Sequence, residues 1–401
     1  PAAVGRGPIG PAWLTGSLVA ECLAQMLDRD LELGRNVQAT CCGTWDTAVI
    51  AGLDERGEQP SPFLSIMMEP MAGGYGARPH ADGMDSGGLL GIPMGRVPDV
   101  EMTEFLYPVL ALWRREEPDS GGPGRHRGGL SASMAFTPHG TSIPMGLVLA
   151  SAGKAVAQNG GLAGGLPGNT GLDVVVRNSR VAQMLADGDV PTDVDAMGGV
   201  VEPGQNYASS YIAPGEVFAM RWQGGGGYGD PLHRDPAAVA HDLREEKITA
   251  AAARDVYGVV LGGPDGSDVD GSATDALREE LRGRRRASAE LLREPTGGTV
   301  DLQSARRLDD NLVEVRGELA CGRCAQGLGD PSSPEGLSLA RHQGPPTGAG
   351  PQILADPADY VDAEVVFRQY YCPNCWTALH SAVVPADHAD VIAGAHHVVG
   401  A

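Results

Sequence analysis

The sequence predicts an α+β protein, with a Gly-rich mixed α/β region over residues 1–265 and a small β-rich domain over residues 313–385. Three observations carry this expectation. Over residues 37–230, short apolar runs alternate with Gly/Pro clusters, the pattern of strands joined by tight turns. Helix signals gather between residues 235 and 292. Two C-x-x-C pairs then close two alternating stretches near the C-terminus.

The first element is a helix over Trp13 to Leu33. Leu14, Leu18, Cys22 and Met26 recur every four residues, flanked by Val19, Leu23 and Leu27, which reads as a buried stripe with Cys22 in the core. Gly34 stands where a left-handed C-terminal cap falls. Phe63–Met68, Ile143–Ala150, Leu172–Val176 and Val217–Trp222 read as strands. Pro108 interrupts the segment 101–115, which therefore reads as extended and not as one helix.

A helical hairpin follows. Asp235-Pro236 opens a helix over Ala237–Lys247, and Thr249 caps a second that ends at Tyr257 with Gly258 beyond it. A third helix spans Thr274–Leu292 with a Glu280–Arg284 pair, and its Arg284-Arg285-Arg286 run reads as a solvated face. Residues 266–312 thus hold a helix and a linker, and 386–401 form a tail.

Composition bounds the function. The 401 residues include 58 Gly and 30 Pro with 5% aromatics, and the glycines have no period of three, so neither a helical bundle nor collagen is expected. A net charge of −21 repels phosphate backbones and anionic head groups, which argues against nucleic-acid and membrane partners. There is no run of eighteen apolar residues, no basic leader and no initiator Met, so cytoplasmic placement and a processed or partial chain are the expectations.

Cys321-Gly-Arg-Cys324 follows the alternating stretch Leu312–Leu319, and Cys372-Pro-Asn-Cys375 follows Ala363–Tyr371. Each pair sits at a strand end, as in a zinc ribbon, and four thiolates fill a zinc tetrahedron with no open position. The expectation is a structural Zn2+ held by Cys321, Cys324, Cys372 and Cys375. The long intervening loop costs only about 1 kcal/mol more to close, against about 10–16 kcal/mol for zinc binding. A redox dithiol is the alternative.

Three Gly-dense segments stand out. Glu69–Gly88 sets Glu69, Arg78, His80, Asp82 and Asp85 on a chain with little side-chain bulk, a candidate catalytic loop. Asp119–Gly129 offers Arg125 and Arg127 as a candidate anion or substrate nest. The third is Gly224–Gly229. For the first two, the alternative is a set of structural turns. No P-loop or dinucleotide fingerprint occurs. Cys41-Cys42 reads as core, His388 as an exposed turn residue and His396-His397 as tail.

Several of these segments together resemble a known family. Asp119-Ser-Gly-Gly-Pro-Gly-Arg-His-Arg-Gly-Gly129 resembles the D-S-G-G-x-G-x-x-R-G-G signature of the hydantoinase B/oxoprolinase family. Gly224-Gly-Gly-Gly-Tyr-Gly-Asp-Pro-Leu232, Ala253–Leu261 and the Glu69…Asp85 loop are similar to further motifs of that family, in the same order. Glu101–Phe105 and Trp113–Asp119 look like the alpha-type subunits of acetone carboxylase relatives. Val313–Val384 resembles the small zinc-binding gamma subunit of acetone carboxylase, with Trp376 where Gly typically follows the last Cys.

This resemblance implies a subunit of an ATP-dependent enzyme, either carboxylating ketones such as acetone and acetophenone with bicarbonate or hydrolysing cyclic amides such as 5-oxoproline and hydantoins. It implies a hydantoinase-A-like nucleotide-binding partner. The family's His/Asp-rich N-terminal half has no counterpart here, so ATP and a second catalytic divalent metal would belong to a partner or to a chain carrying that half. A non-catalytic zinc scaffold is the remaining alternative.

Overall fold

The computed structural model describes residues 9–30, 32–41, 47–67, 73–89, 92–93, 97–151, 153–204, 207–262, 268–295, 298–332 and 336–390. Glu69, Cys42 and His396-His397 lie outside the described residues. The α+β expectation holds: several antiparallel sheets with helices segregated along the chain.

Strands β1 (Thr47–Asp54), β2 (Ser61–Met67), β3 (Val109–Glu116), β4 (Ala132–Pro138), β5 (Met145–Ala150), β6 (Leu172–Arg177), β7 (Val200–Pro203), β8 (Tyr207–Ile212) and β9 (Val217–Arg221) build two sheets. Their orders are β8-β5-β1-β2 and β3-β4-β9-β6-β7, antiparallel throughout. Ile50, Met145 and Leu147 of the first sheet pack against Met134, Phe136, Phe218 and Met220 of the second, with the Phe136 and Phe218 rings edge-on at 5.7 Å. The second sheet is covered on its other face too, where Val174, Val176, Val217 and Ala219 meet Val181 and Met197. Cover on both faces leaves every residue of β4 and β9 buried.

The first helix, α1 (Ile9–Asp28), forms earlier than its sequence pattern suggests and turns the other way. Ser17, Ala24 and Asp28 face inward, while Leu18 is 62% exposed, Leu23 50%, and Val19, Cys22, Met26 and Leu27 are exposed with them. The buried-stripe expectation, Cys22 included, is therefore overturned. The inward face of α1 carries small side chains, with Ala24 packing among Val37, Ala39, Leu162 and Tyr228, and the large ones stay outside. An apolar groove of about 340 Å³ runs between α1 and residues 33–41, lined by Leu23, Leu27, Leu33 and Val37. Gly34 is not a left-handed cap but lies in a 3-10 turn, Leu33–Asn36, so close to Asp28 that a Cβ would crowd the Asp28 carbonyl.

The segment 101–115 is only half extended. Asp99 accepts a hydrogen bond from the Met102 N–H and starts helix α2 (Val100–Leu106), which stops before Pro108 as β3 begins. Helices α3 (Val181–Ala186), α4 (Pro236–Arg244) and α5 (Ala250–Asp255) follow. Asp235 and Thr249 cap the last two as expected, and Gly258 has φ +64°. Helix α6 (Gly271–Ser288) carries the Glu280–Arg284 pair at 2.7 Å. Its Arg285 is not solvated, because it enters the interior described below.

The C-terminal module has two four-stranded sheets. Strands β10 (Glu290–Leu291), β15 (Ala340–Gly344), β16 (Val365–Tyr371) and β17 (Ala378–Pro385) form one. Strands β11 (Arg306–Arg307), β12 (Leu312–Val315), β13 (Glu318–Cys321) and β14 (Gly327–Gly329) form the other. The stretch 312–319 is a hairpin, not one strand: Arg316 and Gly317 have φ +54° and +87°, the turn that joins paired strands. Residues 290–291, expected to be the end of the third helix, and 306–307, read as linker, pair into these sheets instead. His388 is an exposed residue just after a turn, as expected, and Cys41 is buried.

Candidate functional site

The glycine-rich segments converge on one backbone lattice. The Gly74 N–H donates to the Gln223 carbonyl, Ala77 to Gly226, Gly129 to Tyr75, Gly225 to Gly129 and Gly122 to Gly225, all at 2.7–3.0 Å. Side chains cannot enter such a lattice. A Cβ on Gly74 would overlap the Gly129 carbonyl oxygen, and one on Gly225 the Tyr75 carbonyl oxygen. The glycines thus serve close backbone approach. In the 119–129 loop, the N–H groups of Gly122, Arg125, His126, Gly128 and Gly129 donate to backbone carbonyls, and that of Arg127 to Asp82.

Charged side chains fill the edges of the lattice. Arg127 is 2% exposed and donates to Asp85 at 2.9 Å and to the Gly128 carbonyl. Arg234, also 2% exposed, grips both oxygens of Asp82 at 2.7 and 2.6 Å and donates to Asp242 at 2.6 Å. Lys247 donates to Asp85 at 2.9 Å. Burial pushes the Asp82 carboxyl up, but hydrogen bonds from Arg234 and His126 and the charges of Arg234 and Arg127 outweigh it and hold the group well below the usual carboxylate range. Asp85 is lowered in the same way by Arg127, the Leu130 N–H and Lys247, against its burial.

The sequence-predicted residues therefore separate. Asp82, Asp85 and Arg127 meet in one ion-pair network, whereas Arg78 and His80 stand exposed on the same loop. Arg125 donates to Asp310 at 2.9 Å and to the Pro79 carbonyl at 2.7 Å. Asp119 has φ +62° and accepts from the Thr249 N–H and hydroxyl, so the signature loop is tied to the start of α5. Sequence reasoning missed Arg234, Asp242 and Lys247. They lie over 100 residues from the loops they neutralise, and no spacing announces them.

Beside this network lie the four cysteines. The Sγ atoms of Cys321 and Cys375 are 3.7 Å apart, those of Cys324 and Cys372 are 3.6 Å apart, and all four lie within 4.8 Å of one another. Disulfides would need about 2.05 Å. A tetrahedron of roughly 2.3 Å metal–sulfur bonds has edges of about 3.8 Å, so the donor set fits a thiophilic ion such as zinc. The two turns share one geometry. The Ala325 N–H donates to the Cys321 carbonyl and the Trp376 N–H to the Cys372 carbonyl, with φ +63° at Ala325 and +62° at Trp376. Thr377 lies 3.2 Å from the Cys375 sulfur. Among the described residues, no other group of three or more His, Cys, Asp or Glu is arranged to hold a metal.

A family model for hydantoinase B/oxoprolinase matches residues 1–231, which hold the glycine lattice and the Arg127–Asp85 pair, while Arg234, Asp242 and Lys247 lie beyond it. This chain belongs to that family. Among the family's curated relatives, the acetophenone carboxylase delta subunit of Aromatoleum aromaticum is 30% identical over 230 residues, covering 53% of this chain and 32% of the relative. The acetone carboxylase alpha subunit of Xanthobacter autotrophicus is 29% identical over 247 residues, 55% of this chain and 30% of the relative. Caprolactamase subunit beta of Pseudomonas jessenii is 30% identical over 237 residues, 57% and 36% respectively. The chain thus spans about a third of the length of these relatives. A nucleotide-free acetone carboxylase structure superposes with a TM-score of 0.59 over 67% of this chain and 37% of that chain at 24% identity, a likeness of fold. No helix among the described residues is long and apolar enough to cross a membrane.

Proposed function

We propose that this hydantoinase B/oxoprolinase-family chain is a subunit of an ATP-dependent enzyme of the ketone-carboxylase type. The observation that carries the reading is the match of the lattice-bearing region to the acetophenone and acetone carboxylase subunits. The chemistry would be phosphoryl activation of a carbonyl or bicarbonate oxygen followed by attack at the activated carbon. The glycine segments here do not fit a nucleotide cradle, since the N–H groups named above are bonded within the fold. Nucleotide handling therefore falls to a hydantoinase-A-like partner, and a catalytic divalent metal to that partner or to the rest of the family domain. The exposed apolar side of α1 supports an assembled state, because such patches mark interaction surfaces.

Within the chain, Asp82, Asp85 and Arg127 act as positioning residues. Carboxylates held far below neutral pH by arginine are poor proton carriers but good anchors. Arg78 and His80 are the loop groups accessible to a small substrate. Cys321, Cys324, Cys372 and Cys375 hold a structural zinc, which supplies cross-linking and leaves no coordination site for substrate.

A second reading, cyclic-amide hydrolysis, is favoured by the caprolactamase match. One assay separates the two. The chain is reconstituted with a nucleotide-binding partner, and ATP hydrolysis is followed with ketone plus bicarbonate or with lactams and hydantoins. Ketone-dependent hydrolysis that requires bicarbonate supports the carboxylase. Lactam-dependent turnover indifferent to bicarbonate replaces it with the hydrolase, and no turnover with any substrate sinks both in favour of a scaffold.

A further inference from the structure

We infer that the four-cysteine centre is mechanically continuous with the glycine lattice, so that metal occupancy sets the order of residues 223–230, through a clamp centred on Arg285. Asp230 closes the Gly224–Gly229 segment and is 1% exposed. Arg285 grips both of its oxygens, at 2.7 and 2.9 Å. The same guanidinium donates to the Trp376 carbonyl at 2.8 Å and lies 5.1 Å over the Tyr371 ring. The Ala378 N–H donates to Asp230 at 2.8 Å. Trp376 and Ala378 follow the Cys372–Cys375 turn, which is closed by the Trp376 N–H to the Cys372 carbonyl and the Cys372 N–H to the Thr377 carbonyl. The carbonyl and N–H that hold the clamp are thus positioned by the cysteine knuckle itself.

The first knuckle is tied to the lattice independently. Arg323, inside Cys321–Cys324, donates to Asp310 at 2.6 Å and to the Asn311 side chain at 2.9 Å. Asp310 pairs with Arg125 of the signature loop, and the Asn311 amide donates to the carbonyls of Ala163 and Ala378. Ser381 donates to the Gly165 carbonyl. The Arg285–Asp230 pair is buried and cannot slacken by degrees, because losing one partner strands a charge in a site with little water. The partly exposed Arg323–Asp310 and Arg125–Asp310 pairs add a second tie, so the knuckles and lattice order together. By reciprocity, a defect in the clamp weakens metal binding.

This inference rests on the metal-binding reading of the cysteines and not on any reaction. The test is hydrogen exchange on the full chain, read peptide by peptide, before and after metal removal by a strong zinc chelator. Exchange within 223–230 should accelerate at least about tenfold, alongside the knuckles. Acceleration confined to 321–325 and 372–378 would overturn the inference and leave the zinc site and the proposed enzyme class standing. Absence of bound metal in the purified chain would overturn both the zinc site and the inference.

Two variants add a readout that simple destabilisation does not move. Arg285→Lys keeps the charge but loses the fork, and Arg323→Gln loosens the other tie. Each should keep one zinc per chain, bind it about tenfold more weakly in chelator competition, and show 223–230 exchange less dependent on metal. Unchanged zinc affinity in both, with unaltered coupling, would overturn the clamp. Should Arg285→Lys fail to fold, the wild-type comparison and Arg323→Gln decide.

Discussion

At the residue scale, Trp376 shows how a side chain is accommodated in the left-handed region. Its φ of +62° favours glycine, since a Cβ there is strained by about 1 kcal/mol or more. The indole compensates by packing: it is 7% exposed, its ring centroid is 6.4 Å from that of Tyr371, and the Arg286 guanidinium lies 5.5 Å over it. Asp309 illustrates a titration that burial creates. Burial and the neighbouring Asp28 push its carboxyl up to about 7, against hydrogen bonds from the Asn311 and Leu312 N–H groups. The unfolded chain loses this proton near pH 4, so between about pH 4 and 7 the folded state binds more protons and stability falls as pH rises. Asp309→Asn should remove that slope. Denaturant titrations should show the stability of the wild type relative to the variant dropping by on the order of 3 kcal/mol across this window. A difference that does not vary with pH would mean the carboxyl titrates normally.

At the element scale, α1 shows the limit of periodicity. The spacing of its apolar residues identifies a helix correctly, but not which side is buried: Ser17 and Ala24 face inward while Leu18, Leu23 and Leu27 stay exposed. Leu23→Ala should therefore cost under about 0.5 kcal/mol, whereas Leu147→Ala in the sandwich core should cost about 2–5 kcal/mol. Chemical denaturation of the two variants checks this; comparable losses would put Leu23 in a core. The segment 100–116 carries a related lesson. Pro108 ends an element, as the sequence indicates, yet the Asp99 cap upstream makes the preceding residues helical.

At the scale of the whole molecule, the Cys module is not a bead on a linker. Tyr228 of the glycine segment donates to Asp28 at the end of α1, and Arg307 of the module donates to both. Burial raises the Asp230 carboxyl, but Arg285 brings it down to about 2, so this pair stays ionised across the physiological range. The expected consequence is a single unfolding transition for the metal-loaded chain. Far-ultraviolet circular dichroism and tryptophan fluorescence should give coincident thermal curves. Two resolved transitions would mean that the module and the lattice fold separately.

The two C-x-x-C pairs, several strands, the Asp235 and Thr249 caps and the family motifs were legible because each depends on residues close in sequence. Two thiolates three apart form a knuckle wherever the chain puts them, and a cap needs only the next turn. The partners of Asp82, Asp85 and Arg285, and the outward face of α1, were not legible. Burial and ion pairing depend on what arrives from over 50 residues away, and local patterns carry no record of it. The family, several of the elements and the two C-x-x-C pairs follow from the sequence alone. That Asp82 and Asp85 are gripped by arginines and that the cysteine turns are tied to the glycine lattice emerges only on folding, because the low-dielectric interior that makes those pairs strong exists only once the distant segments have packed.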